Sequence, residues 1–145
     1  RADRNWTEVL QELRVMQTGT QILAGFLLAL AFQPAFADLS TGQRVFYLVL
    51  LVLATLSAIV ALAPVALHRA LFGRWEKRTV VLYGHAALVV ALATAAALLV
   101  GVVAFVFDVV IGGVAAVIVA VVAIVLVAAL WLVIPLILRA KGADA

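Results

Sequence analysis

Runs of apolar residues long enough to cross hydrocarbon constrain this chain more than any other feature. A bilayer core takes about 20 consecutive apolar residues in helical form. The sequence holds four such runs, at about 14–32, 44–67, 80–105 and 114–138, each bounded by charge, proline or glycine. Hydrophobic residues make up 68% of the chain and charged ones 12%, which leaves too little polar surface to keep a soluble domain of this length dispersed. The short alternating segments of a transmembrane barrel are absent from the sequence. The pattern predicts an all-α polytopic membrane protein: a single four-helix transmembrane domain over residues 1–145, with a short N-terminal amphipathic segment.

The first run differs from the other three because it carries hydrogen-bonding side chains into the bilayer. Arg14, Gln17, Thr18, Gln21 and Gly25 recur at helical spacing and share one face. Lipid offers nothing to satisfy such groups, so the face must meet protein or a water-filled cavity. Ahead of it, Asn5 and Glu8 have the spacing of a capping box. Trp6, Val9, Leu10 and Leu13 form an apolar stripe suited to the headgroup level, or simply to the wet start of the span. A bend is expected near Gly19.

Punctuation along the rest of the chain is local. Gln33-Pro34 ends the first span, and Ser40 with Gln43 makes a second capping box. Phe46 and Tyr47 sit where an aromatic belt is expected. Pro64 and Pro135 interrupt the second and fourth spans, with a kink expected at Pro64. Asp108 and Gly112-Gly113 mark a hairpin loop between the third and fourth. Small residues recur every fourth position at Ala87, Ala91 and Ala95, and again at Gly112, Ala116 and Ala120, spacings that let helix backbones approach closely.

Lysines and arginines orient the four-span plan. Arg1, Arg4 and Arg14, then Arg69, Arg74, Lys77 and Arg78, then Arg139 and Lys141 all fall on one side; only Arg44 falls on the other. The positive-inside rule puts both termini and the middle loop in the cytoplasm. The net charge of +3 is therefore a topology signal, and no nucleic-acid partner is expected. The expected partners are the lipid bilayer and further copies of the chain or a larger membrane complex. No signal peptide is evident, and because the chain begins at Arg1 some of the native N-terminus is expected to be missing.

Polar groups gather toward the cytoplasmic half: Glu12, Arg14, Gln17, Thr18, Gln21, His68 and His85. Gln21 lies seven residues past Arg14 and His85 seven past Arg78. With both arginines at the inner headgroups, each would stand about 10 Å inside, within reach of the other. Four chemistries compete for these residues. As structural glue, the amides and His85 hydrogen-bond across helices and fix packing. As a proton or cation path, His85 titrates near neutrality while Arg14 gates. Against transport, no carboxylate lies near the midplane of any run, although Pro64 and Pro135 break their spans at matching distances from the cytoplasmic ends. Haem ligation by His68 and His85 is disfavoured by their unequal depths. Hydrolysis is disfavoured because Ser57 has no acid or base near it in sequence and no phosphate-binding glycine loop is present. Zero cysteines exclude thiolate sites. No cofactor, resident metal or catalytic residue is expected, and the chain reads as non-enzymatic.

Glu12-Leu13-Arg14, then Gln17-Thr18-Gly19, Gln21 and Phe26-Leu27-Leu28, with Ala63-Pro64-Val65-Ala66 and His68-Arg69, resemble a family of small bacterial membrane proteins of unknown function. Some members of that family carry a sodium/proton antiporter label. The resemblance covers the first two spans and His85. It implies four spans in the bacterial cytoplasmic membrane and draws attention to the Glu12–Gln21 and Pro64–Arg69 segments. The expected function is that of a small integral membrane protein acting through helix–helix contacts, as a homo-oligomer or accessory subunit. The alternative is proton-coupled monovalent cation transport by such an oligomer.

Overall fold

A computed structural model describes residues 2–70 and 77–143, with side chains described at 11, 12, 14–63, 66 and 86–140. It is all-helical. Helix α1 spans Ala2–Leu30, α2 Thr41–Ala70, α3 Lys77–Val110, α4 Gly113–Ala128 and α5 Ile134–Ala143. A 3-10 turn, Pro34–Asp38, joins α1 to α2, and a π-helical turn, Ala129–Val133, joins α4 to α5 without a break. Among the described residues, three segments are long and apolar enough to cross a membrane: Thr41–Ala63, Ala86–Val110 and Gly113–Ala140. Helix α1, whose side chains are described at 11, 12 and 14–30, carries Arg14, Gln17, Thr18 and Gln21 ahead of its apolar end. The chain divides into two compact units, Arg1–Leu98 and Leu99–Ala145.

In the first unit, three helices pack along seams with heptad-like spacing. Among the described residues of α2, the buried positions are Tyr47, Leu50, Ala54, Ser57 and Ala61, stepping by three and four residues. Such a seam keeps one line of side chains facing a neighbour. Among the described residues, Thr20 and Leu27 are buried on α1, and Ala87, Leu88, Ala91 and Leu98 on the α3 segment in this unit. Ala61, Leu88 and Ala91 form a cluster against which Met16, Val60 and Leu92 pack. Of the alanine row, Ala91 lies in that cluster with Ala61 of α2, Ala87 is buried and Ala95 is half-buried; a small side chain at Ala91 allows close approach.

The α1–α2 corner follows from its local residues. Amides of Phe32 and Gln33 donate to the carbonyls of Ala29 and Leu30 at 3.2 and 3.1 Å, closing the helix. Pro34 then opens the 3-10 turn, where its missing N–H deprives nothing of a bond. The Ser40 capping box forms as its spacing predicts: the Gln43 amide donates to Ser40 Oγ at 3.2 Å and the Ser40 amide to Gln43 Oε1 at 3.0 Å. Tyr47 is 2% exposed rather than part of an aromatic belt. Its hydroxyl donates to the Leu27 carbonyl at 2.7 Å, and its ring meets Phe36 edge-on with centroids 4.9 Å apart. The reason is spacing: Tyr47 falls on the α2 seam, whereas Phe46, one residue earlier, stays exposed.

Other expectations are corrected. Helix α1 begins at Ala2, ahead of Asn5, so Asn5 is helical and not its N-cap. Helix is continuous through Gly19 in α1 and past position 64 to Ala70 in α2, so a bend at either position would lie within a helix and not at a break. The side chains of Trp6, Val9, Leu10, Leu13 and Pro64 lie outside the described residues. In the second unit, Asp108 belongs to α3 rather than to a loop. The turn there is shorter: the amides of Ile111 and Gly112 both donate to the Phe107 carbonyl at 2.9 and 3.0 Å, and Gly112 takes φ +124°. That conformation suits glycine, which has no Cβ to clash. Before Pro135, the Ile134 amide donates to the Ala129 carbonyl five residues back. Proline has no N–H for the carbonyl four residues before it and its ring crowds that oxygen, so the helix widens by one residue there. Helix α4 has no buried residue and shows Val114, Val117, Ile118 and Val121 outward.

Candidate functional site

Position around α1 decides what each polar residue can do. At about 100° per residue, Met16, Thr20, Leu23 and Leu27 fall on one side, and Arg14, Thr18, Gln21 and Gly25 on nearly the opposite side. Burial agrees with this arithmetic. Thr20 and Leu27 are buried, Met16 and Leu23 partly so, whereas Arg14, Thr18, Gln21 and Gly25 are exposed. Gln17 lies half-buried at the border. The stripe therefore points away from α2 and α3.

Within the stripe, the Thr18 hydroxyl donates to the Arg14 carbonyl at 3.0 Å. This back-bond satisfies its proton locally and leaves its lone pairs outward. A Cβ built on Gly25 meets nothing within 4 Å. The strip from Arg14 to Gly25 is thus a guanidinium, a hydroxyl oxygen and an amide ending on a bare backbone patch.

Glu12 belongs elsewhere. It stands about 200° from Arg14 around the helix and lines a groove of about 610 Å³ with Gln11, Val15, Met16, Leu88 and Leu92. A smaller cleft of about 440 Å³ lies at the α1–α2 corner beside Phe32 and Arg44. The Arg44 guanidinium donates to the Ala37 carbonyl at 2.7 Å across that corner.

The side chains of His68 and His85 lie outside the described residues, as does the basic segment around Arg74, Trp75 and Glu76. Packing nevertheless fixes the axial register of α1 against α3. Met16 packs at the Leu88–Ala91 level, and Glu12 shares its groove with Leu88 and Leu92. Position 85 therefore falls toward the Glu12 end of α1, and Gln21 lies roughly 12 Å or more beyond it along the bundle. Equal depth for Gln21 and His85 assumes that Arg14 and Arg78 are level; the packed helices offset them.

Sequence reasoning misses a second polar layer. Ser57 is 2% exposed, and its hydroxyl lies 3.1 Å from that of Thr94 on α3. Thr94 also lies 3.0 Å from the carbonyls of Val90 and Ala91. With its one proton shared by those carbonyls, Thr94 can accept the proton of Ser57, so both hydroxyls are satisfied. Thr20, 5% exposed, donates to the Met16 carbonyl at 2.6 Å. The signal for these residues is their place on the three- and four-residue seam spacing, which marks them as inward-facing. The chemistry of the Ser57–Thr94 pair is that of helix-to-helix glue, two hydroxyls with no acid or base among their partners, whereas Thr20 bonds only within α1.

Among the described residues, no group of three or more His, Cys, Asp or Glu side chains is placed to hold a metal ion. Residues 1–135 match a family of unknown function, DUF6328. No curated protein and no solved structure matches the chain.

Proposed function

The chain belongs to the DUF6328 family, whose function is unknown, and we infer that its role is one of assembly within the membrane. It is a four-span protein of the bacterial cytoplasmic membrane with both termini cytoplasmic, and it acts without catalysis by assembling with copies of itself through α1. One observation carries this reading: Arg14, Thr18 and Gln21 are exposed on the side of α1 away from its own bundle. If α1 spans the bilayer, Gln21 stands about 10 Å inside Arg14. Each unsatisfied polar group facing hydrocarbon costs several kcal/mol. A neighbouring chain that pairs with the stripe removes that cost. The Ser57–Thr94 pair, its serine buried, supports a structural rather than catalytic use of polar groups in this fold.

The experiment is self-association of the full chain in lipid vesicles, read by subunit-counting fluorescence over a range of protein-to-lipid ratios. An oligomer is expected, weakened about 3- to 30-fold per contact by Gln21→Leu, the range for interhelical hydrogen bonds of ~0.6 to 2 kcal/mol. A chain that stays monomeric at every ratio, or an oligomer indifferent to Gln21→Leu, overturns the reading.

A further inference from the structure

Two opposite charges occupy nearly the same depth on α1 and face different ways. Glu12 and Arg14 are two residues apart, about 3 Å along the axis and about 200° around it. Side chains at that spacing do not meet within one helix. Among the described residues neither has an ion-pair partner in its own chain. Arg14 heads the exposed stripe; Glu12 lines a groove of about 610 Å³ together with apolar Val15, Met16, Leu88 and Leu92. The chain thus carries an exposed cation on one side of α1 and an anion beside a groove on the other, with Gln11 between them at the groove's edge.

We propose that copies of this chain associate head to tail, the Arg14 stripe of one copy seated in the Glu12 groove of the next. This rests on the self-assembly reading above and specifies its geometry. Register makes the pairing direct. All copies insert with one orientation, so neighbours stand side by side at equal depth. Arg14 of one copy then lies within about 3 Å axially of Glu12 in the next, a gap two long side chains span. Bidentate pairing of guanidinium and carboxylate suits that contact. Thr18 and Gln21 follow Arg14 against the neighbour and leave lipid. Because stripe and groove are different surfaces, the contact is heterologous, and repeated about the membrane normal it generates a ring where the rotation closes.

Charge reversal in trans tests the arrangement with full chains carrying two distinguishable tags in vesicles. Glu12→Arg alone and Arg14→Glu alone are each expected to weaken self-association at least tenfold. Mixing the two variants is expected to restore it as alternating hetero-oligomers, and the double variant in one chain to restore it in homo-oligomers. Accessibility of a C-terminal tag confirms that each variant keeps its orientation. Association that survives both single reversals but falls with Gln21→Leu overturns the head-to-tail contact and leaves the self-assembly reading standing. Loss in both single variants without recovery on mixing also overturns it, assigning the groove to another occupant such as an amine-bearing lipid headgroup. An unmutated chain that never associates sinks both readings.

Discussion

Removing either hydroxyl of the Ser57–Thr94 pair should have unequal consequences. Ser57→Ala leaves Thr94 with two carbonyl acceptors of its own helix, at 3.0 Å to both Val90 and Ala91. Its proton stays satisfied, and the loss is one interhelical bond, about 0.5 to 1 kcal/mol. Thr94→Val keeps the shape but leaves the Ser57 hydroxyl, 2% exposed, without its cross-helix partner. Orphaning a buried hydroxyl costs about 1 to 3 kcal/mol, reduced where Ser57 turns its proton to a carbonyl one turn back. Thr94→Val should therefore be the more damaging by roughly 1 kcal/mol. The double variant should cost less than the sum of the singles, with a coupling near 0.6 and at most about 1.7 kcal/mol. Reversible unfolding in mixed micelles of lipid and detergent measures each corner of this cycle. Strict additivity, or a costlier Ser57→Ala, would falsify the account of who donates to whom.

Three further outcomes are expected. Tyr47→Phe should destabilise the chain by about 1 kcal/mol in the same assay, since it deletes the 2.7 Å bond to Leu27 while keeping the ring against Phe36; no change would mean the corner is held by packing alone. Gly112→Ala should cost about 1 to 2 kcal/mol, because φ +124° strains any residue bearing a Cβ although space around it is open. An alanine variant as stable as the parent would refute that turn. Unmutated protein in vesicles should show no cation flux under an imposed pH gradient, as glue chemistry requires; flux abolished by His85→Ala would instead support transport.

Much of the local structure was legible because it rests on short-range chemistry. Ser40 and Gln43 form their capping box from spacing alone, and Pro34 and Gly112 stand at turns because their backbones suit little else. Pro135 signals an interruption, yet its form as a π-helical turn depends on how the surrounding helix absorbs one extra residue. Asn5 and Asp108 mislead for a common reason: both are frequent at helix ends, and neither carries a sign of whether the neighbouring turn continues. Tyr47 misleads because adjacent aromatics near a span end suggest an interface belt, whereas the seam selects one of them for burial.

That Arg14, Thr18, Gln21 and Gly25 share a face was determined by sequence alone, since helical rise and rotation are the same in every helix. Apolar length likewise determined the membrane class. Which way the face points was decided by tertiary packing, because the apolar residues of α1 offered more than one side to α2 and α3. Met16, Thr20 and Leu27 took the contact, and that choice turned the polar stripe outward and left Glu12 on a different surface.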